Sequence, residues 1–201
     1  MKVYFAHGKE SGPWGSKIAR LAELATAQGY AVESIDYRGM DDPDQRVELL
    51  VSLLQKETGK VLLVGSSMGG YVALVTAQKL ASERPTSAKQ ASEPVTVAGV
   101  FLLAPALYIP GYQVQDYQPN YPPNYQPNGQ PNSQRQYAPV AVVHGWSDDI
   151  IPAAHSIRFA EQHNCSLHLI PGDHRLNSSM HLVEPLFSQF MRLASESAED
   201  A

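Results

Sequence analysis

Gly65-Ser66-Ser67-Met68-Gly69 places a hydroxyl two residues from a glycine on either side, after the apolar run Val61–Val64 and ahead of the helical run Tyr71–Val75. A strand-to-helix turn of this spacing holds its central serine in a strained conformation with the oxygen projecting above a sheet, and the glycines leave room for it. Three specified residues at about 7% frequency each would produce the pattern by accident on the order of 0.1 times in a chain of this length. Ser67 is therefore the candidate nucleophile.

A serine hydroxyl attacks poorly unless a neighbouring base takes its proton. Of seven histidines, His174 lies in Pro171-Gly172-Asp173-His174, directly after the last predicted strand, where parallel α/β sheets place their sites. His155, His163 and His181 fall in helical segments and His168 within a strand. His7 and His144 each precede a glycine at a strand end and read as braces for their loops. The imidazole in turn needs a carboxylate to hold its tautomer and balance its developing charge. Asp148 and Asp149 both follow the fifth apolar strand; Asp148 is favoured, because Asp149 abuts Ile150-Ile151 and is placed to cap a helix opening near Pro152.

Acyl transfer also requires two donors for the oxygen that becomes negative. The backbone N–H of Met68, after the nucleophile and at the positive end of its helix, supplies one. The loop His7-Gly8-Lys9-Glu10-Ser11-Gly12 should supply the other, from Lys9 or, failing that, Gly8. The side chains of Lys9 and Trp14 are within reach of a substrate there, but a solvated lysine and a packed tryptophan are the favoured reading.

The elements that position these groups follow from periodicity. Short β-rich runs at Val3–Ala6, Ala31–Ile35, Lys60–Val64, Val97–Leu103, Val140–His144 and Ser166–Ile170 alternate with helical spacing at Ser16–Gln28, Asp44–Glu57, Met68–Ser82, Ala153–Gln162 and His181–Ser195. This is an α/β pattern: a mostly parallel sheet of about six strands with helices on both faces. At 201 residues and 43% hydrophobic composition, one domain spanning 1–201 is expected. The break lies at residues 112–137, with five Tyr, five Pro, four Asn and seven Gln, where x-Pro-Asn-x repeats four times in tandem from Gln118 to Ser133. Proline every fourth residue blocks helix and interior strand, so the segment reads as an inserted loop, either a spacer or a lid carrying stacking tyrosines.

A formal charge of −5 with no basic run argues against a nucleic-acid partner. No stretch approaches a membrane span or a signal peptide. A single cysteine, Cys165, forms no internal disulfide and suits a reducing compartment, so a cytoplasmic location is expected. Phosphate-binding glycine loops and H-E-x-x-H are missing, and His163 and His168 are badly spaced for a shared ion; neither cofactor nor metal is expected.

His7-Gly8 after the first strand, Gly65 to Tyr71, His144-Gly145 with Asp148 and Pro152, and Gly172-Asp173-His174 together resemble a small α/β-hydrolase, and the order Ser67, Asp148, His174 is that of its triad. The chain is similar in particular to the YqiA-type esterases and the retinoblastoma-binding-protein-9-like serine hydrolases, compact members with a minimal cap. The resemblance covers nearly the whole chain except 112–137, which has no family counterpart. It implies a nucleophile at Ser67, an acid at Asp148, a base at His174 and main-chain oxyanion donors at Met68 and Lys9. The implied activity is metal-independent cleavage of a small-molecule carboxylic ester or thioester through an acyl-enzyme. Two other readings use the same residues: a peptidase, and an interaction protein that keeps the fold with its triad idle.

Overall fold

The computed structural model describes residues 1–82, 94–110 and 138–196. Its strands are β1 Lys2–Ala6, β2 Ala31–Ile35, β3 Lys60–Ser66, β4 Thr96–Leu103, β5 Val140–Gly145 and β6 Ser166–Ile170. The helices are α1 Ser16–Ala27, α2 Pro43–Leu54, α3 Met68–Ser82, α4 Ala153–His163 and α5 Met180–Glu196, with a single 3-10 turn at Asn177–Ser179 before α5. The strands form one sheet in the order β2-β1-β3-β4-β5-β6, every neighbouring pair parallel.

The chain steps outward from β1 to β2, returns past β1 to β3, and then moves the other way to β6. Connections at the C-terminal ends of β1 and β3 therefore leave in opposite directions and open a crevice there. The loop after β1 and the Ser67 turn occupy those two ends.

Alternation along the central strand splits the core into two layers. Val61 and Leu63 of β3 belong to one layer with Val47 and Leu50 of α2, Val72 and Leu74 of α3 and Phe159 of α4. Leu62 and Val64 pack on the opposite face against Ile18 and Leu21 of α1 and Val183, Phe187 and Met191 of α5. Helix α3 is buried continuously from Met68 to Ala77, as expected of a helix that is apolar all round and lies over the middle of a sheet.

Element ends differ from the periodicity reading where local hydrogen bonds decide them. Helix α2 begins at Pro43 because the Asp42 carboxylate caps it, accepting from Asp44 N–H at 2.9 Å. Strand β3 continues to Ser66 because its pairing with β4 continues to Leu103. Helix α4 stops at His163 because Asn164 after it takes a φ of 48°, in the left-handed region that asparagine tolerates. The segment 112–137, read as a spacer or lid, lies outside the described residues.

Candidate active site

Ser67 sits between β3 and α3 with φ of 55°, unusual for a residue with a side chain. Its backbone is held from several directions: its N–H donates to Leu103 O at 3.0 Å, and its carbonyl accepts from Gly70 N–H and Ala106 N–H, each at 2.9 Å. A Cβ at Gly69 would overlap the Ala6 carbonyl, and one at Gly65 would overlap the backbone of Gly69. Only glycine at those two places lets the turn close this tightly on β1. The strain at Ser67 persists because its surroundings over-determine it.

The loop after β6 brings His174 to this turn, with Nε2 3.0 Å from Ser67 Oγ. On its other side Nδ1 donates to Asp148 Oδ2 at 2.8 Å. A carboxylate can only accept, so Nδ1 carries the proton and Nε2 is left to accept from the serine hydroxyl. The His174 side chain is 12% exposed, whereas that of Asp148 is wholly buried.

Four N–H groups surround the Asp148 carboxylate. Oδ1 accepts from Ile150 N–H at 3.0 Å and Ile151 N–H at 2.8 Å. Oδ2 accepts from His174 and lies 3.0 Å from His144 Nε2. His144 is fully buried between the Ile151 carbonyl, 2.9 Å from Nε2, and Ser156 Oγ, 2.7 Å from Nδ1. Since the Ile151 carbonyl can only accept, His144 Nε2 carries the proton, and Nδ1 accepts from the Ser156 hydroxyl. Desolvation lowers the pKa of His144 further than the Ile151 carbonyl and Asp148 raise it, which keeps the ring neutral. Burial alone would raise the Asp148 carboxyl, but donation by Ile151, His174 and Ile150 outweighs it and holds the group below its ordinary value.

The loop after β1 packs against the same turn: a Cβ on Gly8 would stand 3.2 Å from Ser67 Cβ. Two buried side chains hold this loop from behind. His7 Nε2 accepts from Tyr37 N–H at 2.9 Å, so Nδ1 bears the proton that it gives to the Gly8 carbonyl at 2.7 Å. Arg46 of α2 is 1% exposed and donates to the carbonyls of Met40 at 2.7 Å, His7 at 3.2 Å and Gly8 at 3.4 Å. With the Gly8 carbonyl turned onto His7 and Arg46, the trans peptide turns the Lys9 N–H to the opposite side.

The structure thus brings Ser67, Asp148 and His174 into one hydrogen-bonded line, with Met68 opening α3 and Gly8, which precedes Lys9, against the turn. His7 and His144 brace their loops as their positions indicated. Two expectations are corrected. Asp149 is exposed and caps nothing: α4 follows Pro152 with no side-chain cap, and it is Asp148 that closes the turn onto Ile150 and Ile151. Trp14 is 53% exposed and lines, with Ala19, Ala22 and Ala27 of α1, a groove of about 610 Å³. Arg46, Ser156 and Lys17, which donates from α1 to the His174 carbonyl at 3.1 Å, were not singled out by sequence reasoning. No three His, Cys, Asp or Glu side chains among the described residues are grouped to hold a metal ion, and no described helix is long and apolar enough to cross a membrane.

Residues 3–164 match the family described as the alpha/beta hydrolase family. The chain belongs to that family. The matched span includes Ser67 and Asp148 and stops short of His174. Among solved structures, this α/β hydrolase is similar to a protein assigned to the alpha/beta superfamily from Xanthomonas campestris pv. campestris, at 25% identity over 95% of this chain and 98% of that one, with a TM-score of 0.65. It is also similar to Est1E from Butyrivibrio proteoclasticus, at 20% identity over 96% and 88% with a TM-score of 0.71, a protein whose structure with ferulic acid bound is known as well. Mouse alpha/beta hydrolase domain-containing protein 10 is similar at 20% identity over 95% and 89%, with a TM-score of 0.63. Those last two likenesses concern the fold. No curated protein matches the sequence.

Proposed function

We propose that this α/β hydrolase is a serine hydrolase that cleaves small-molecule carboxylic esters or thioesters through an acyl-enzyme. The observation that carries the reading is the continuous line from Ser67 Oγ through His174 to the buried Asp148 carboxylate. Ser67 Oγ attacks the acyl carbon as its proton passes to His174 Nε2, and Asp148 balances the imidazolium that forms. The carbonyl oxygen becomes an oxyanion held by the main-chain N–H groups of Met68 and Lys9. Collapse breaks the bond to the alcohol or thiol, which leaves with the proton from His174. Water then attacks the acyl-serine, His174 takes the water proton, and return of that proton to Ser67 Oγ releases the carboxylic acid.

A fluorophosphonate probe tests the reading directly. Peptide mapping is expected to find the adduct on Ser67, in protein that hydrolyses p-nitrophenyl esters; labelling elsewhere, or equal labelling of Ser67→Ala, would overturn it. A panel from acetate to palmitate, with a feruloyl ester added because ferulic acid binds the similar Est1E, would then rank substrates.

The oxyanion assignment makes a separate prediction. Arg46→Lys keeps the charge but loses the planar fork that reaches three carbonyls, so that of the two side chains on the Gly8 carbonyl only His7 Nδ1 keeps its hold and the Gly8–Lys9 peptide is less firmly set. It is expected to lower kcat by about 10- to 100-fold and leave KM within about threefold, since the donor acts on the developing oxyanion rather than on bound ester. Steady-state kinetics on the folded variant provide the check; a rise in KM at constant kcat would place Arg46 in substrate binding instead.

A further inference from the structure

The loop that carries His174 is held at several points by its own backbone and by the loop after β5. Ser147 N–H donates to Gly172 O at 2.9 Å, Arg175 N–H and Leu176 N–H donate to Asp173 Oδ1 at 3.0 Å each, and Ser179 Oγ donates to Pro171 O. The loop is strained as well, with Leu176 at φ of 55°. The carbonyl of His174 itself is taken by a side chain from a distant element, the ammonium of Lys17 in the first turn of α1, at 3.1 Å. Beside it, Ser16 Oγ donates to Asn177 Oδ1 at 3.0 Å, so one turn of α1 grips this loop on both sides of Leu176.

Resting on the serine-hydrolase reading above, we infer that Lys17 is a positioning residue: its ammonium on the His174 carbonyl holds the imidazole in line with Ser67, and loss of the ammonium proton loosens that line. A neutral amine can still donate, but a charge-assisted hydrogen bond is about twice as strong as a neutral one. The charged groups that reach Lys17 are Asp148 from the loop after β5, with Asp173 and Arg175 from the His174 loop. Burial lowers its pKa to about 8, with Arg175 acting in the same direction and Asp148 and Asp173 against it. The proton is therefore lost within the range where an esterase can be assayed.

The experiment is a set of pH–rate profiles from pH 6 to 10, on a p-nitrophenyl ester with the uncatalysed rate subtracted, for wild type, Lys17→Met and Lys17→Arg. Wild type is expected to lose about 3- to 10-fold in kcat above a midpoint near 8. Lys17→Met should run at the lower level throughout, without that limb. Lys17→Arg, charged over the whole range, should stay near the neutral-pH rate with no limb there. KM should stay within about threefold in all three, and the melting temperature of Lys17→Met within about 3 °C of wild type. An alkaline limb with an unchanged midpoint in either variant overturns the inference. Should Lys17→Met fail to fold, wild type against Lys17→Arg decides alone. Fluorophosphonate labelling separates the two levels of argument: no adduct on wild-type Ser67 defeats the serine-hydrolase reading, whereas normal labelling with profiles indifferent to residue 17 defeats only the role of Lys17.

Discussion

Ser67→Ala is expected to abolish ester turnover, lowering kcat by on the order of 10⁵-fold or more, while the protein stays folded. The adjacent hydroxyl does not offer a substitute for the proposed nucleophile, because Ser66 is buried within β3. The same position makes a stability prediction of opposite character. Ser67 and its alanine variant both keep a Cβ at φ of 55°, where glycine is at ease. Ser67→Gly should therefore be equally inactive yet more stable than Ser67→Ala, by about 1 kcal/mol less whatever the looser unfolded chain returns. Hydrolysis assays and thermal melts on the pair read both effects. Residual activity in either variant above the uncatalysed rate by more than about 10⁴ would point to another nucleophile.

The second large effect belongs to Asp148. Asp148→Asn should lower kcat by about 10⁴-fold, because an amide no longer enforces the tautomer in which His174 Nε2 accepts from Ser67. It should also destabilise the fold. Each carboxylate oxygen faces two N–H groups, so either orientation of the amide sets its NH₂ against donors, at a cost of about 1–3 kcal/mol. The pH dependence follows from the direction of the shift. A carboxyl held below its ordinary value stabilises the folded state once the unfolded chain's carboxylate is ionised, above about pH 4, and loses that contribution as pH falls through the lower folded value. The gap in melting temperature between wild type and Asp148→Asn should accordingly stay constant from about pH 5 to 8 and close in more acidic solution. Asp149→Asn, on an exposed side chain, should change kcat by less than about twofold. A loss at Asp149→Asn larger than that at Asp148→Asn would reverse their assignment.

Much of this molecule is legible along the chain because the deciding interactions are local. The period of apolar residues placed the six strands and five helices of the described residues, since most of these elements bury one face or one stripe. Gly65 to Gly69 announces a strained turn because the strain and its relief lie within five residues. His174 and Asp148 could be chosen by position, since parallel strands deliver their following loops to a common edge. Chain position does not separate Asp148 from Asp149, since the helix cap expected of Asp149 does not form; the tertiary structure separates the two carboxylates by burial and by the four donors that converge on one of them.

Tertiary structure alone decided how the proposed reacting groups are held. Arg46 reaches from α2 to the carbonyls of His7 and Gly8, His144 from the end of β5 to Asp148, and Lys17 from α1 to the carbonyl of His174. None of these contacts leaves a spacing signal, because a long side chain meets backbone atoms remote in sequence and the meeting depends on how helices settle on the sheet. Trp14 makes the same point: its apolar type favours burial, yet it is exposed along a groove that it lines with small side chains of α1. Sequence by itself determined which elements form and which chemical groups reach the sheet edge, because hydrophobic period and turn chemistry act over a few residues. The orientation of those groups, their tautomers and the buried charges behind them were decided by packing between elements far apart in the chain.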